Sequence, residues 1–307
     1  MYSGRRSFLK TLALTAAALS GGAANGVLSA PSARIQRTIP VSGETLPVIG
    51  MGSWRTFNVG KNRQLRDQRV EVLRAFLDNG GGMIDSSPMY GSSEEVIGYC
   101  LSEIGGDKNV FAASKVWTGS PEQGRRQIAD SQELWKLPVM DLMQVHNLLS
   151  WEAHLQTLRE KKAAGEIRYI GVTTSHGRRH DLLEQILERE PIDFVQLTYN
   201  IRDRDAEQRL LPLAREKSVA VIANMPFDKG DLFDRYADKP LPDWAGEFDC
   251  RNWAQFFLKF VVSHPAISCA IPATSRVDHM QQNMGAGVGL FPDQALRKKM
   301  IDYLAAL

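Results

Sequence analysis

Three cysteines in 307 residues, Cys100, Cys250 and Cys269, are too few and too scattered for a disulfide framework or a zinc site. Two of them, Cys100 and Cys269, sit in apolar runs that predict burial, and an oxidising compartment would still allow a Cys250–Cys269 bridge. No apolar run reaches the roughly 20 residues that a membrane-spanning helix needs. Neither sign of charge is in excess: 37 Lys and Arg stand against 35 Asp and Glu, a formal charge of +2. Such a chain has no basic excess to suggest nucleic acid or an anionic membrane as a partner. His176 and His180 lie four apart, but no carboxylate or thiol accompanies them at ligand spacing, so no metal site is expected. Also missing is the G-x-G-x-x-G turn of a doubly wound sheet. Gly50-Met-Gly52 lacks the third glycine and precedes no helix.

Acid is absent before Glu44. That stretch instead carries Arg5-Arg6, then Phe8-Leu9-Lys10, an alanine-rich apolar run from Thr11 to Leu19, and small residues to Ala33. A basic start, a short apolar stretch and small residues make an export signal. The arginine pair with Phe-Leu-Lys resembles the twin-arginine signal, although Gly4 stands where Ser or Thr is common. The expectation is a signal peptide over residues 1–33, cleaved after Ala24, Ala30 or Ala33. Its partner would be the twin-arginine translocase, and the mature protein would be periplasmic with no stable membrane association. That route carries folded proteins, so the resemblance implies that a cofactor is collected before export. Residues 34–307 hold 34 basic and 35 acidic residues, close to neutral.

What is present after the leader is a repeated alternation of strand and helix signals. Ile35–Pro47 alternates around Ser42-Gly43 and predicts a hairpin. Short apolar runs then predict strands at Val48–Gly52, Met83–Asp85, Val110–Lys115, Asp141–Val145, Tyr169–Val172, Phe194–Thr198, Val219–Ala223 and Ser268–Ile271. Helical patterns follow each, among them Leu65–Leu77, Ser93–Ile104, Pro121–Lys136, Ala206–Lys217 and Trp253–Val262, and Pro292–Leu307 adds one more. Near-continuous apolar strands are those of a parallel sheet covered by helices. Eight strand–helix units predict a closed α/β fold, a (β/α)8 TIM barrel with an N-terminal hairpin and a C-terminal extra helix, over residues 34–307. One connection, Phe227–Arg251, is long and rich in Asp, Pro and Gly, and reads as a lid or a disordered segment on the functional face; with the stretch near Trp54 it would set pocket specificity.

Barrel enzymes work at the C-terminal ends of their strands. There the sequence places Asp85 and then Tyr90, Lys115, and His146. Singly, each has an ordinary reading: Asp85 with Ser92 and Ser93 caps a turn and a helix, and His146 is a satisfied core residue. Together they form a chemical set. A phenol titrates near pH 10 unless perturbed. A nearby ammonium lowers that value, and Asp85 would hold Lys115 charged and in place. Tyr90 could then donate a proton to a carbonyl oxygen as general acid, with His146 donating a hydrogen bond to the same atom. Nothing in the set is a nucleophile, so hydride from a nicotinamide is the missing reagent.

The set Asp85, Tyr90, Lys115 and His146 on three successive strands resembles the catalytic tetrad of the aldo-keto reductases. The resemblance covers essentially all of residues 34–307. It implies carbonyl reduction, aldehyde or ketone to alcohol, with NADPH as coenzyme and NADH possible. Leu46-Pro-Val-Ile-Gly-Met-Gly-Ser53-Trp54 is similar to the family's opening strand. Gln196 and Asn200 fall in its sixth-strand motif, where the Gln meets the carboxamide. Ile271-Pro-Ala-Thr274-Ser275-Arg276 with Gln281-Gln282-Asn283 resembles its cofactor clamp. By this resemblance the cofactor set is Ser53, Trp54, Asp85, Thr174, Gln196, Asn224, Thr274, Ser275, Arg276, Gln282 and Asn283. Four positions depart from the pattern: Thr174 replaces a carboxamide-binding Asn, Asn224 a stacking Tyr, Ala273 a basic residue and His279 an Arg. Arg276 remains to meet a 2′-phosphate through its forked geometry. Trp54, Trp117 and Trp151 follow strands and read as walls of a substrate pocket.

Two other readings belong to different classes. An exported protein has no nicotinamide pool to draw on, which favours a dinucleotide-binding or sensor role with little or no turnover. A lyase or isomerase would use Lys115 as an imine former, but Asp85 beside it keeps that amine protonated.

Overall fold

The computed structural model describes residues 33–106 and 110–307. The expected leader falls outside them, except for Ala33. An antiparallel hairpin, β1 (Gln36–Thr38) and β2 (Thr45–Pro47), comes first. Eight parallel strands then hydrogen-bond in chain order: β3 (Met51–Gly52), β4 (Met83–Asp85), β5 (Phe111–Val116), β6 (Met140–Val145), β7 (Ile167–Thr173), β8 (Phe194–Thr198), β9 (Ala220–Asn224) and β10 (Ile267–Ala270). Gly50 N–H donates to Ala270 O at 2.8 Å and Ala270 N–H to Val48 O at 2.9 Å, which joins the last strand to the first. The barrel expected from the strand count is therefore formed.

Strand residues point alternately to the two faces of a sheet, and the hydrophobic clusters divide accordingly. Outward residues such as Ala112, Met143, Val145, Ile170, Val172, Val195 and Val221 join the large cluster shared with the helices. Inward residues Met83, Phe111, Ala113, Leu142, Tyr169, Phe194 and Ile222 form a second cluster with Ile39 and Leu46 of the hairpin region. Phe111 and Tyr169 stack there, centroids 5.8 Å apart. The hairpin thus seals the N-terminal end of the barrel with apolar side chains. Each such buried side chain contributes on the order of 1.5–3 kcal/mol.

Helices α1 (Arg63–Asp78), α2 (Ser93–Glu103), α3 (Pro121–Trp135), α4 (Trp151–Ala163), α5 (His180–Arg189) and α6 (Leu210–Glu216) surround the first six strands. Several begin where their chemistry dictates. Asn62 accepts from Leu65 N–H and starts α1, and Ser120 accepts from Gln123 N–H ahead of Pro121. The helix expected over Ala206–Lys217 is a 3₁₀ turn, Asp205–Glu207, followed by α6. Pro212 has no N–H to give, so it fits only the first turn of a helix, and α6 begins at Leu210. All three cysteines are free and buried, so no Cys250–Cys269 bridge forms.

The long connection after β9 is ordered, which corrects one of its two readings, the disordered segment, and leaves the other. It contains α7 (Asp231–Tyr236) and a 3₁₀ turn, Asp243–Phe248. Its aromatic residues lie on α8 (Trp253–Val262): Phe233 meets Phe257, Tyr236 meets Trp253, and Trp244 meets Phe256. That cover explains why all ten residues of α8 are buried. Helix α9 (Val277–Gly285) and α10 (Gln294–Ala306) complete the chain. Asp293 accepts from Leu296 N–H, so α10 starts two residues after the expected Pro292.

Helices α2 and α3 touch at Gly98, where a Cβ would lie 1.8 Å from Leu134 O. Gly98→Ala must therefore push the two helices apart. It should cost at least about 1–3 kcal/mol, seen as a lower urea midpoint with an unchanged m-value.

Candidate active site

Continuing the inward period two residues beyond the apolar floor brings Asp85, Lys115, Gln144 and Gln196 to one level. All four are buried. Lys115 Nζ donates to Asp85 Oδ2 at 2.6 Å and to Ser86 O at 2.7 Å. Asp85 Oδ1 accepts from Gln196 Nε2 at 3.0 Å and Gln144 Nε2 at 3.4 Å. Ser53 Oγ donates to the Asp85 backbone oxygen at 2.9 Å. An ion pair removed from water persists only when its remaining valences are met in this way.

Tyr90 ends a 3₁₀ turn, Pro88–Tyr90, whose first residue has φ fixed by its ring and whose start is capped by Ser87. Lys115 Nζ lies 5.2 Å from the centre of the Tyr90 ring. The His146 ring meets Tyr90 edge-on, centroids 5.8 Å apart at 87°. Asp85, Tyr90, Lys115 and His146 are thus brought together, two from strands β4 and β5 and two from 3₁₀ turns that follow β4 and β6.

Burial decides their charges. It opposes the Lys115 ammonium, but Asp85 and Tyr90 outweigh it and hold Lys115 above its ordinary value. For Tyr90, burial raises the phenol by more than Lys115 lowers it, so its value lies above 10, not below. The sequence reading expected the opposite, because it counted the ammonium without the desolvation. His146 is depressed to about 3, first by burial and then by Lys115, and its ring is neutral at physiological pH.

Above these residues lies a cavity of about 560 Å³, a volume typical of small-molecule sites. Its wall includes Tyr90, His146, Ser53, Trp54, Asp85, Thr174, Gln196 and Asn224. The other expected cofactor residues, Thr274, Ser275, Arg276, Gln282 and Asn283, lie outside this lining, while their neighbours Pro272, Ala273 and His279 are in it. Arg276 is exposed and its fork is taken by Asp278, with Nε to Oδ1 at 3.0 Å and Nη2 to Oδ2 at 2.5 Å. Of the three tryptophans, only Trp54 lines the cavity; Trp117 is exposed and Trp151 packs partly buried on the core.

The sequence reading named the long connection and the stretch near Trp54 as the source of pocket specificity, and Arg55, Phe227, Lys229 and Phe233 on the cavity wall come from them. It missed Met89 and Arg178, which also line the cavity and which no periodicity marks. A backbone signal does exist: Arg55, Asn147, His176, Met225 and Lys229 all line the cavity at positive φ without being glycine. Such strain gathers at functional sites. Strand-end threonines hold two of these loops. Thr173 Oγ1 accepts from Asn147 N–H and Thr198 Oγ1 from His176 N–H. Thr198 also donates to Asn224 Oδ1 at 2.8 Å, and Asn224 Nδ2 donates to Thr174 O at 2.9 Å, so the two departures from the family pattern are bonded to each other.

A polar constellation of this kind, at the C-terminal mouth of a barrel and open to a deep cavity, belongs to an enzyme acting on a small molecule. Residues 48–299 match the model of the Aldo/keto reductase family, and the chain belongs to that family. It is an NAD(P)H-dependent oxidoreductase. Methylglyoxal reductase YeaE of Escherichia coli K12 is 27% identical over 256 residues, spanning 81% of this chain and 88% of that protein. An aldo/keto reductase from Klebsiella pneumoniae, solved in complex with NADP and acetate, has a TM-score of 0.70 at 25% identity, over 85% of this chain and 93% of that one. The holo form of aldo-keto reductase AKR11C1 from Bacillus halodurans shares the fold, with a TM-score of 0.72 at 21% identity, over 89% and 96% of the two chains.

The depressed His146 links the site to stability. The unfolded ring binds a proton near pH 6.5, the folded one only near 3. Between those values the unfolded chain is the better proton binder, so stability is complete above 6.5 and falls as pH drops, by about 1.4 kcal/mol per unit for one ring. His264, depressed to about 4, acts with the same sign. Urea unfolding at pH 7.0 and 5.5 should show this loss, and His146→Gln should show a smaller one.

Proposed function

We propose that this protein reduces aldehyde or ketone carbonyls to alcohols with NADPH, Tyr90 acting as the general acid. The observation that carries the reading is the placement of Lys115 Nζ, 2.6 Å from Asp85 and 5.2 Å from the Tyr90 ring, beneath a cavity lined by Tyr90 and His146. The residues present fit a nicotinamide dinucleotide. Arg55, Arg178 and Lys229 line the cavity against a single carboxylate, Asp85, which Lys115 neutralises. Thr174 Oγ1 is buried with no hydrogen-bond partner among the described residues, beside Asn224 and near Gln196 on the same wall.

When bound, the dinucleotide supplies a hydride to the carbonyl carbon. This chain's residues manage the oxygen. Tyr90 rests neutral, as a phenol does near neutral pH, and burial holds its proton more firmly still. As negative charge builds on the carbonyl oxygen, Tyr90 gives up that proton, and the Lys115 ammonium stabilises the phenolate left behind. Asp85 and the Ser86 carbonyl keep Lys115 aimed throughout. His146, uncharged, donates an N–H to the same oxygen and orients it. Trp54, Met89, Phe227 and Phe233 give the substrate an apolar wall. The name of the relative YeaE, a methylglyoxal reductase, supports a small aldehyde as a first substrate to assay. NADP(H) is the assigned coenzyme, with NAD(H) the alternative, because Asp278 occupies the fork that a 2′-phosphate would need from Arg276.

Steady-state oxidation of NADPH with a panel from methylglyoxal to aromatic aldehydes tests the reading. Multiple turnovers are expected; a single burst would favour the binding role. Tyr90→Phe should lower kcat by about 10²–10⁴-fold while leaving the fluorescence titrations with NADPH and NADH unchanged. Unaltered turnover in that variant would remove Tyr90 from its role.

We also propose export. Arg5-Arg6, Phe8-Leu9-Lys10, the alanine-rich run and the lack of acid before Glu44 support passage of the folded protein through the twin-arginine translocase to the periplasm. Replacing both arginines by lysine (Arg5→Lys with Arg6→Lys) should leave the full-length chain in the cytoplasmic fraction. Undiminished export would exclude that route.

A further inference from the structure

The tetrad does not by itself say which nitrogen of His146 carries the ring proton. Its ring is neutral, so one nitrogen is a donor and the other an acceptor. Only the nitrogen that faces the cavity meets the substrate. If that nitrogen bore a lone pair, it would repel a carbonyl oxygen instead of binding it. The bond made by the other nitrogen sets the outcome.

That other nitrogen is Nδ1, which lies 2.9 Å from Ser87 Oγ. Ser87 is fully buried and His146 nearly so. The Ser87 oxygen already accepts from Met89 N–H at 3.2 Å. Its own proton needs an acceptor, and Nδ1 is the acceptor within reach. In the opposite tautomer Oγ would accept from both Met89 and His146. The hydroxyl proton would then be left with no partner among the described residues, in a place closed to water, an arrangement that folded proteins avoid. Nε2 takes no hydrogen-bond partner among the described residues, and the ring lines the cavity.

We propose that Ser87 is a positioning residue for the reaction: its hydroxyl donates to Nδ1 of His146 and so keeps the ring proton on Nε2, turned toward the bound carbonyl. The proposal rests on the reading of His146 as a donor to the substrate. It also gives one short segment three linked duties. The Asp85 carboxylate and the Ser86 carbonyl both hold Lys115, and the Ser87 hydroxyl holds His146. Tyr90 follows three residues later, so the acid and both groups that assist it are aligned by the same stretch of backbone.

Ser87 also caps the 3₁₀ turn, and a purely structural role would affect stability alone. The test must therefore read the tautomer. The full chain, labelled with ¹⁵N-histidine, is examined by NMR at pH 7, and His146→Gln assigns the ring. Wild type should show His146 protonated on Nε2. Ser87→Ala should shift the ring toward Nδ1–H and lower kcat about ten- to a hundredfold, with the NADPH dissociation constant unchanged. Ser87→Thr, which keeps the hydroxyl, should restore both the tautomer and the rate. A wild-type ring protonated on Nδ1 would overturn the proposal, as would Ser87→Ala with unaltered tautomer and kcat. Should Ser87→Ala fail to fold, the wild-type spectrum and Ser87→Thr decide. A shift toward Nδ1–H in Ser87→Ala, together with full turnover in His146→Gln, would uphold Ser87 as keeper of the tautomer while removing both residues from the reaction.

Discussion

The upper half of the barrel depends on one buried ion pair. Taking Lys115 and Asp85 out of water costs several kcal/mol per ion before their attraction is counted. The surroundings answer that cost: Ser86 O meets the ammonium, Gln144 and Gln196 the carboxylate, Ser53 the carbonyl behind it. The pair ties β4 to β5, and its carboxylate reaches β6 and β8. Positions across half the barrel are fixed by the need to satisfy a single carboxylate. Tyr90 and His146 stand over this frame and inherit its rigidity.

The same burial sorts the site into one charged pair and two neutral groups. Lys115 stays positive because its counter-ion is in contact, whereas burial outweighs the pull of Lys115 on Tyr90, and His146 faces burial and a like charge. A neutral phenol beside a fixed ammonium is poised for one direction of change. Ionising it turns the neighbour of that ammonium into an anion. The favourable interaction is thus reserved for the moment when charge moves, which is what distinguishes catalysis from tight binding.

Much of this could be read from the chain alone, for a definite reason. Asp85 and Lys115 close apolar runs of alternating direction, so a period of two carries them to the inner face, and His146 follows such a run at the same rim. The barrel was legible because eight similar runs cannot be arranged in many ways. Three things were not legible. The Tyr90 phenol is raised, not lowered, because its desolvation depends on what the tertiary fold places around it. The order in Phe227–Arg251 comes from aromatic contacts with α8, and its Asp, Pro and Gly content hid them. The partner of Ser87 lies 59 positions away, beyond any local pattern. Arg276 shows the converse limit. Its residue type suited a phosphate, but the acid two positions on had already taken its fork.

The hairpin beneath the barrel does more than shield apolar rings from water. With Ile39 and Leu46 packed against Phe111, Tyr169 and Phe194, the lower end is stoppered. The described cavity opens instead at the opposite rim, so a ligand comes and goes past the loops that carry Arg55, His176 and Lys229.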